Sequence, residues 1–288
     1  MLLNAPELEL KLLSAATGDT AYRADLASHM LRLAGRSDIP VAAGWAGAVE
    51  SPPVLEKYLE NFGRIRGNYP DAVESMHKVI RDSAGPVTLI AIAPLTNVAE
   101  LLDRHPEDAG KVNLVAMLGS IAAGHDDVPG KVAEYNVVQD IGAAQRVFAG
   151  NWRSFAITPL DSCGNVKLSR EEVAKIMHSR RPPLVDLVNQ SIAVYSHWRG
   201  REELPPLSEE NLPDGTSSLF DTVAVYMAYE RDGFLNYREL NLNVDAAGLL
   251  CEAPSGRKVR TAISWNRKEG FLRHLMSRIL PDHTIQHV

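Results

Sequence analysis

Residues 86–97 read Pro-Val-Thr-Leu-Ile-Ala-Ile-Ala-Pro-Leu-Thr-Asn, and this stretch determines the expected fold. The run at 87–92 is apolar and rich in β-branched side chains, which is typical of a strand buried in a parallel sheet. The end at 94–97 is a turn signal, and Thr96 or Asn97 is placed to cap the helix that follows. We therefore predict a buried strand, a short loop and a helix, which together form one unit of an α/β fold.

The alternation of strand-like and helix-like segments continues along the chain. Strands are predicted at residues 11–17, 38–44, 87–92, 112–117, 154–158 and 258–264. Helices are predicted at residues 21–33, 72–81, 98–102, 143–148, 183–198 and 269–279, with another that starts at 221. Gly35 ends the first helix, and Ser169 with Glu172 forms a capping box for another. This pattern predicts one α/β domain over residues 1–288, with a mostly parallel central sheet flanked by helices.

A second loop carries polar side chains suited to a sugar. Ala133-Glu134-Tyr135-Asn136 places a carboxylate and a carboxamide two residues apart, where short polar side chains can hold vicinal hydroxyls. Ligands of open parallel sheets bind outside the carboxyl ends of the strands, so the two loops together predict a site there. The alternative is that Glu134 and Asn136 are ordinary polar groups of a surface loop.

Composition excludes several classes of protein. The 288 residues carry 30 Lys and Arg against 36 Asp and Glu, which gives a net charge of −6. A nucleic-acid-binding protein is expected to carry an excess of basic residues instead. No apolar run approaches the roughly 18 residues that span a bilayer, and no signal peptide opens the chain. We therefore expect a cytoplasmic protein without a membrane partner. Cys163 and Cys251 fit neither a disulfide framework nor a zinc site, and we interpret them as ordinary thiols.

Five stretches in family order resemble the calcium-dependent nucleoside hydrolases of the inosine/uridine-preferring kind. These stretches are residues 6–10, 38–44, 87–97, 133–136 with Asp140, and 159–161. The resemblance implies hydrolysis of the N-glycosidic bond of ribonucleosides by a calcium-activated water. It also implies a nucleoside as the small-molecule partner and a homo-oligomer, either a dimer or a tetramer.

The resemblance assigns two residues to calcium. Asp221, in Phe-Asp-Thr-Val-Ala-Val before a predicted helix, matches an aspartate that ligates the ion, and such oxygens suit a hard cation. Ile92 matches a position whose backbone carbonyl binds the ion. The alternatives are a plain helix N-cap for Asp221 and a core side chain for Ile92.

Further positions match residues beside the sugar. Glu134 and Asn136 match residues that hydrogen-bond the ribose hydroxyls, and Met117 matches one that lies next to the sugar. Asp19 stands where the family usually has a ribose-contacting asparagine. We expect Asp161, near the end of a predicted strand, to be structural.

Some positions depart from the family pattern. Phe220 replaces a histidine that helps to protonate the leaving base in purine-using members, so no general acid is expected there. Its ring could instead stack on a base or close the pocket. The segment 122–131 is longer than usual. The loop at 61–69 has no clear match, and its Arg64 and Arg66 either meet an anionic substrate or form a solvated face.

The family's first strand is followed by an acidic loop of D-x-D-x-x-x-D-D type, whose carboxylates hold calcium and activate a water. Residues 6–10 match family sequence just beyond that loop, so we expect the first strand and the general base upstream of Met1 and assign no catalytic residue within the chain. Either the start lies downstream of the true one, or the protein has discarded the loop. Loss of a central parallel strand would leave backbone groups unpaired, which favours the first explanation.

These two explanations predict different activities. Under the first, the protein is a hydrolase whose present 288 residues turn nucleosides over very poorly or not at all. Under the second, it is a non-catalytic relative that binds a nucleoside or a sugar.

Overall fold

The described part of the chain contains eight strands and eleven α-helices. The computed structural model describes residues 1–46, 54–61, 63–64, 66–198 and 212–281. The strands are β1 Leu13–Ala15, β2 Val41–Ala43, β3 Val87–Ala91, β4 Val112–Met117, β5 Ser154–Thr158, β6 Leu235–Val244, β7 Leu250–Glu252 and β8 Arg257–Trp265. The helices are α1 Thr20–Leu33, α2 Glu56–Asn61, α3 Ala72–Asp82, α4 Thr96–Arg104, α5 Tyr135–Val138, α6 Ile141–Ala149, α7 Leu160–Cys163, α8 Arg170–His178, α9 Pro182–Trp198, α10 Asp221–Met227 and α11 Lys268–Ile279. Short 3₁₀ turns lie at Leu2–Asn4, Pro106–Lys111 and His125–Asp127. Within these ranges, no helix has both the length and the apolar character needed to cross a membrane.

The strands form a two-stranded sheet and a six-stranded sheet. In the first, β1 pairs in parallel with β2. The second has the order β3-β4-β5-β8-β6-β7, with parallel pairing from β3 to β8. Strand β6 runs antiparallel to both β7 and β8. The predicted α/β fold with a mostly parallel sheet is confirmed, whereas β6 and β7 are strands that the sequence pattern did not predict.

Side chains of β4 alternate between two hydrophobic cores. Leu114 and Ala116 belong to a core that includes residues of α3, α4 and α6. Val115 and Met117 belong to a second core, with residues of α7, α8, α10 and α11. Because successive side chains of a strand point to opposite faces, helices cover both faces of the six-stranded sheet. The predicted flanking helices are therefore confirmed.

Local signals placed several helix ends correctly. Gly35 follows α1 with a φ of +68°, a left-handed conformation that glycine adopts without strain. At the start of α8, the Ser169 side chain accepts from the Glu172 amide, and the Glu172 carboxylate accepts from the Ser169 amide. The predicted stop and the predicted capping box are both confirmed.

The predicted cap of α4 is wrong. The N-cap residue is Leu95, and no side chain caps the helix. The Thr96 hydroxyl donates instead to Asp140 Oδ2 at 2.9 Å. Asn97 Nδ2 donates to the Ala15 carbonyl at 3.0 Å, and Asn97 Oδ1 accepts from the Trp45 amide at 2.8 Å. Asn97 therefore joins the ends of β1 and β2 to the start of α4.

Candidate functional site

The candidate site lies where β3, β4 and β5 end. Met117, the last residue of β4, pairs with Thr158, the last residue of β5. Ala91, the last residue of β3, pairs with Ala116, so Ile92 is the first residue past the strand. The side chain of Ile92 is 41% exposed, so the alternative interpretation of this residue as simple core is wrong. Its position beyond the sheet edge removes it from the packed interior.

Glu134 and Asn136 are fixed to the end of β4. Glu134 Oε2 accepts from the Gly119 amide at 3.0 Å, and Glu134 Oε1 accepts from the Asn136 amide at 2.9 Å. Asn136 Nδ2 donates to the Met117 carbonyl at 3.1 Å. Both polar side chains are buried, with residue exposures of 4% and 7%, so the surface-loop alternative is wrong. The structure thus brings together three of the predicted sugar-contacting residues.

The backbone at Gly119 makes this arrangement possible. Gly119 has a φ of +74°, in the left-handed region, and a Cβ there would overlap the Leu250 side chain. A glycine is therefore required if the amide is to point at Glu134. Burial raises the pKa of Glu134, and the hydrogen bonds from the amides of Gly119, Asn136 and Val137 oppose that shift.

Asp221 is the first residue of α10, whose N-cap is Phe220 and has no side-chain cap bond. The interpretation of Asp221 as a plain N-cap is therefore wrong. Solvent reaches part of the Asp221 residue, although protein fills most of the space around its carboxylate. Loss of solvation and the nearby charge of Glu134 raise the pKa of Asp221 to about 7. Within the described ranges, no group hydrogen-bonds to this carboxylate.

The surroundings of Asp221 suit a cation. An unpartnered carboxylate that faces a second acid is stabilised by a positive charge, and carboxylate oxygens are the ligands that calcium prefers. Helix α10 packs against β3, β4 and β5. The charge that acts on Asp221 is that of Glu134, which accepts from the Gly119 amide just past β4. The predicted pairing of Asp221 with the Ile92 carbonyl is compatible with this placement.

His125 is a residue that sequence reasoning missed. Its imidazole meets the Phe220 ring edge-on, with ring centroids 5.5 Å apart and planes at 80°. Only an indirect sequence signal pointed to His125: the residue lies in the 122–131 segment, which is longer than the corresponding segment usual in the family. The exposed imidazole lies beside the residue that precedes Asp221.

Several contacts hold the turn that carries His125. Both Asp127 carboxylate oxygens accept from Asn165 Nδ2, at 2.6 and 2.7 Å, and the Asp126 amide donates to the Gly164 carbonyl at 3.3 Å. Asp126 and Asp127 adopt positive φ values of 54° and 60°, which are uncommon for residues other than glycine. The turn is therefore specified by contacts rather than by backbone preference.

Asp161 shapes the start of the same segment. Its carboxylate accepts from three successive backbone amides, those of residues 121, 122 and 123, at 2.8, 2.7 and 3.1 Å. The predicted structural role of Asp161 is confirmed.

Asp19 lies apart from these residues, beyond the end of β1. Its exposed side chain accepts from the Tyr22 amide at 2.9 Å and caps α1. Among the described contacts, none joins Asp19 to Glu134 or Asp221. Its predicted contact with a ribose therefore remains a prediction.

The structure gives Arg64 a different role from the one expected. Arg64 Nε donates to Asp25 Oδ2 at 2.7 Å, and its side chain is only 10% exposed. Arg64 is therefore neither open to an anionic substrate nor part of a solvated face, because Asp25 already neutralises its charge. Arg66 is exposed. Phe62 and Ile65 of the same loop lie outside the described residues.

Comparison with known proteins identifies the family. The family model described as inosine-uridine preferring nucleoside hydrolase matches residues 1–270. The chain belongs to this family. The five matching stretches and the strand-end site thus lie within a single family match.

Curated nucleoside hydrolases match part of the chain. The pyrimidine-specific ribonucleoside hydrolase RihA of Klebsiella pneumoniae is 35% identical over 158 residues, which cover 51% of this chain and 50% of that protein. The enzyme of the same name from Escherichia coli O7:K1 is 32% identical over the same coverage. The chain therefore spans about half the length of the curated relatives it matches.

Solved structures of nucleoside hydrolases share the fold along most of the chain. A purine-preferring ribonucleoside hydrolase from Gardnerella vaginalis has a TM-score of 0.76 at 18% identity, over 96% of this chain and 92% of that chain. The inosine-uridine preferring nucleoside hydrolase of Bacillus anthracis has a TM-score of 0.69 at 20% identity, with the same coverage. Identities this low show the nucleoside hydrolase fold alone.

Proposed function

We propose that the protein hydrolyses the N-glycosidic bond of ribonucleosides, converting a nucleoside and water into a free base and ribose. The observation that carries this proposal is the buried Glu134–Asn136 pair, fixed to the end of β4 beside the unpartnered Asp221. A buried carboxylate and a buried carboxamide side by side suit two neighbouring hydroxyls. Family membership supports the reaction class.

The residues present fit a calcium ion. Asp221 would hold it with a carboxylate oxygen, and Ile92 with its backbone carbonyl. When bound, the ion supplies positive charge for the ribose diol and lowers the pKa of a water. Without such an ion, the pKa of Asp221 is raised by the protein around it and by the charge of Glu134, and this supports the assignment.

The chain's own side chains would hold the sugar and handle the leaving base. Glu134 and Asn136 bind the ribose hydroxyls, Met117 packs beside the ring, and Asp19 approaches from the end of β1. As the C1′–N bond breaks, its electron pair passes to the base nitrogen, and His125 donates a proton there while Phe220 contacts the base. Water oxygen bonds to C1′ and loses its proton to a carboxylate of the acidic loop that the family resemblance implies.

That acidic D-x-D-x-x-x-D-D run is not among the 288 residues. We therefore propose that these residues by themselves turn nucleosides over slowly. The alternative is a relative that binds a nucleoside or a sugar but catalyses no reaction. It rests on the same buried pair, because Glu134 and Asn136 serve binding as well as catalysis.

We also propose that the protein works in the cytoplasm as a homo-oligomer, with a nucleoside rather than nucleic acid or a membrane as its partner. The net charge of −6 supports the absence of a nucleic-acid partner. The names of similar proteins specify pyrimidine in one case and purine in another, so both base classes are to be tested.

The proposal is tested by release of free base. The protein is incubated with inosine or with uridine, in calcium or in excess EGTA, and the base is quantified by chromatography. We expect slow, calcium-dependent release that Asn136→Ala abolishes and Asn236→Ala, at an exposed position on β6, leaves unchanged. Nucleoside binding without release, measured by calorimetry and lost in Asn136→Ala, establishes the binding alternative. Absence of both binding and release contradicts the proposal.

A further inference from the structure

A group of metal-ligating side chains lies away from the sugar site. His77 on α3, His105 directly after α4 and Glu107 in the following 3₁₀ turn each place one donor atom within 4.8 Å of the others. Helix α4 starts at the carboxyl end of β3 and runs back for nine residues, about 13 Å at 1.5 Å per residue. The cluster therefore lies toward the opposite edge of the sheet from Glu134 and Asp221.

The two imidazoles are already close enough to share an ion. The rings of His77 and His105 stack with centroids 3.7 Å apart and planes 11° from parallel. Two nitrogens bound to one tetrahedral Zn²⁺ at about 2.05 Å lie about 3.3 Å apart. The rings must rotate out of the stacked arrangement before a nitrogen of each can bind one ion, because the nitrogen lone pairs lie in the ring planes.

Asp108 orients one of these rings. Asp108 is buried, and its Oδ2 accepts from His77 Nδ1 at 2.9 Å. That hydrogen bond leaves His77 Nε2 with its lone pair directed away from the carboxylate. A carboxylate behind a ligating histidine is the usual partner in protein metal sites, where it fixes the tautomer and increases the basicity of the ligand.

The local charge also favours a cation. Glu74 Oε1 lies 3.3 Å from His105 Nε2, and Glu107 Oε1 lies 4.0 Å from His105 Nδ1. Arg104, the cation that follows Asp103 at the end of α4, already pairs with Glu74 at 3.5 Å and with Glu100 at 2.7 Å. The carboxylates around the stacked rings therefore exceed the positive charge.

The site is open to an ion from solution. The side chains of His77 and His105 are each 19% exposed, and that of Glu107 is 68% exposed. Closing the three donors on an ion requires side-chain rotation rather than movement of α3 or α4.

We propose that His77, His105 and Glu107 bind a divalent transition-metal ion, preferentially Zn²⁺, with water in the fourth position. Two imidazoles and one carboxylate form a known zinc donor set. Nitrogen donors distinguish this site from an all-oxygen calcium site. A bound ion joins α3 to the segment that connects α4 with β4.

Calorimetry with untagged, EDTA-treated protein tests the proposal, with Zn²⁺ as titrant and visible absorption of added Co²⁺ as a second readout. We expect one ion bound, with an affinity reduced roughly tenfold or more by His105→Gln, His77→Gln or Glu107→Gln. The control His178→Gln, an exposed histidine on α8, leaves Zn²⁺ affinity unchanged. Asp221→Asn also leaves it unchanged, which separates this ion from any ion at the sugar site.

Glu107→Gln keeps the test decisive even if a histidine variant folds poorly, because Glu107 is exposed. A thermal melt supplies a further readout, since Zn²⁺ raises the Tm of the parent and does so less in Glu107→Gln. Equal Zn²⁺ affinity in the parent and all three variants overturns the proposal. So does a parent protein that binds neither Zn²⁺ nor Co²⁺.

Discussion

The imidazole of His125 meets the ring of Phe220 edge-on, with ring centroids 5.5 Å apart. Phe220 immediately precedes Asp221, whose carboxylate lies near Glu134. The contact therefore places a titratable imidazole at the border of the proposed sugar site. Under the proposed function, a general acid here would come from the His125–Asp127 turn rather than from α10.

His125→Gln is expected to slow hydrolysis of inosine much more than hydrolysis of p-nitrophenyl riboside. A purine leaves as a neutral base only after it gains a proton, whereas p-nitrophenolate leaves without one. Loss of a general acid costs about 10²-fold or more in kcat, and this loss is expected for inosine only. The measurement is kcat for both substrates, with His178→Gln as a surface control. Equal losses on both substrates would assign His125 a structural role instead.

Glu134→Gln is expected to weaken both the fold and the site. The carboxylate accepts from the amides of Gly119 and Asn136, and a glutamine side chain offers only one acceptor oxygen. One buried amide then loses its partner, at a cost of about 1–3 kcal/mol in the free energy of unfolding. Urea denaturation measures this loss, and nucleoside affinity should fall in parallel. Glu9→Gln, at an exposed position, is the matched control, and the same stability in both variants contradicts the prediction.

Acid is expected to destabilise the protein partly through Asp25. Burial by itself raises the pKa of Asp25, but hydrogen bonds from the Gly67 amide, Arg64 and Tyr69 outweigh it, and the net pKa is lowered. The folded state therefore binds this proton more weakly than the unfolded state. The contribution to stability is complete above the unfolded pKa of about 3.9 and is lost as the pH falls toward the lower folded value.

Urea denaturation from pH 7 to pH 3 measures this effect. Asp25→Asn is expected to cost about 2 kcal/mol near neutral pH and to flatten the acid limb of the stability curve. Asp38→Asn is the control, because the Asp38–Arg36 pair is exposed on both sides and contributes little. An unchanged acid limb in Asp25→Asn would show that other carboxylates dominate.

Local patterns predicted the elements better than they predicted the contacts between them. The apolar run at 87–92 gave the correct strand because burial and β-branching act within a few residues. The cap predicted for Asn97 failed because its side chain bonds to Ala15, which is 82 positions away in sequence. The strand β6 was missed because exposed polar residues such as Asn236 interrupt its apolar positions.

In the candidate site too, residues with a local sequence signal were predicted, and a residue that depends on tertiary contacts was missed. Glu134 and Asn136 lie close together in sequence, so their shared loop made them recognisable as a pair. His125 was missed because its contact with Phe220 depends on how the 122–131 segment folds against α7 and the residue before α10. Asp126 and Asp127 reach that shape only with uncommon positive φ values, which no local propensity predicts.

Gly119→Ala and Gly35→Ala are expected to separate backbone strain from steric overlap. Both glycines have positive φ, +74° and +68°, so alanine at either position costs about 1–2 kcal/mol of strain. A Cβ at Gly35 meets nothing within 4 Å, whereas one at Gly119 overlaps the Leu250 side chain. Gly119→Ala should therefore lose more stability and displace the amide that donates to Glu134.

Two measurements decide this comparison: urea denaturation and nucleoside affinity for each variant. Gly35→Ala is expected to lower stability with unchanged affinity, because Gly35 follows α1 and makes no contact with the sugar site. Gly119→Ala is expected to lower both, since the Glu134 carboxylate loses one of the two amides that fix its position. Equal stability losses with equal affinities would mean that the site tolerates movement of Gly119, and that Glu134 is positioned by the Asn136 amide alone.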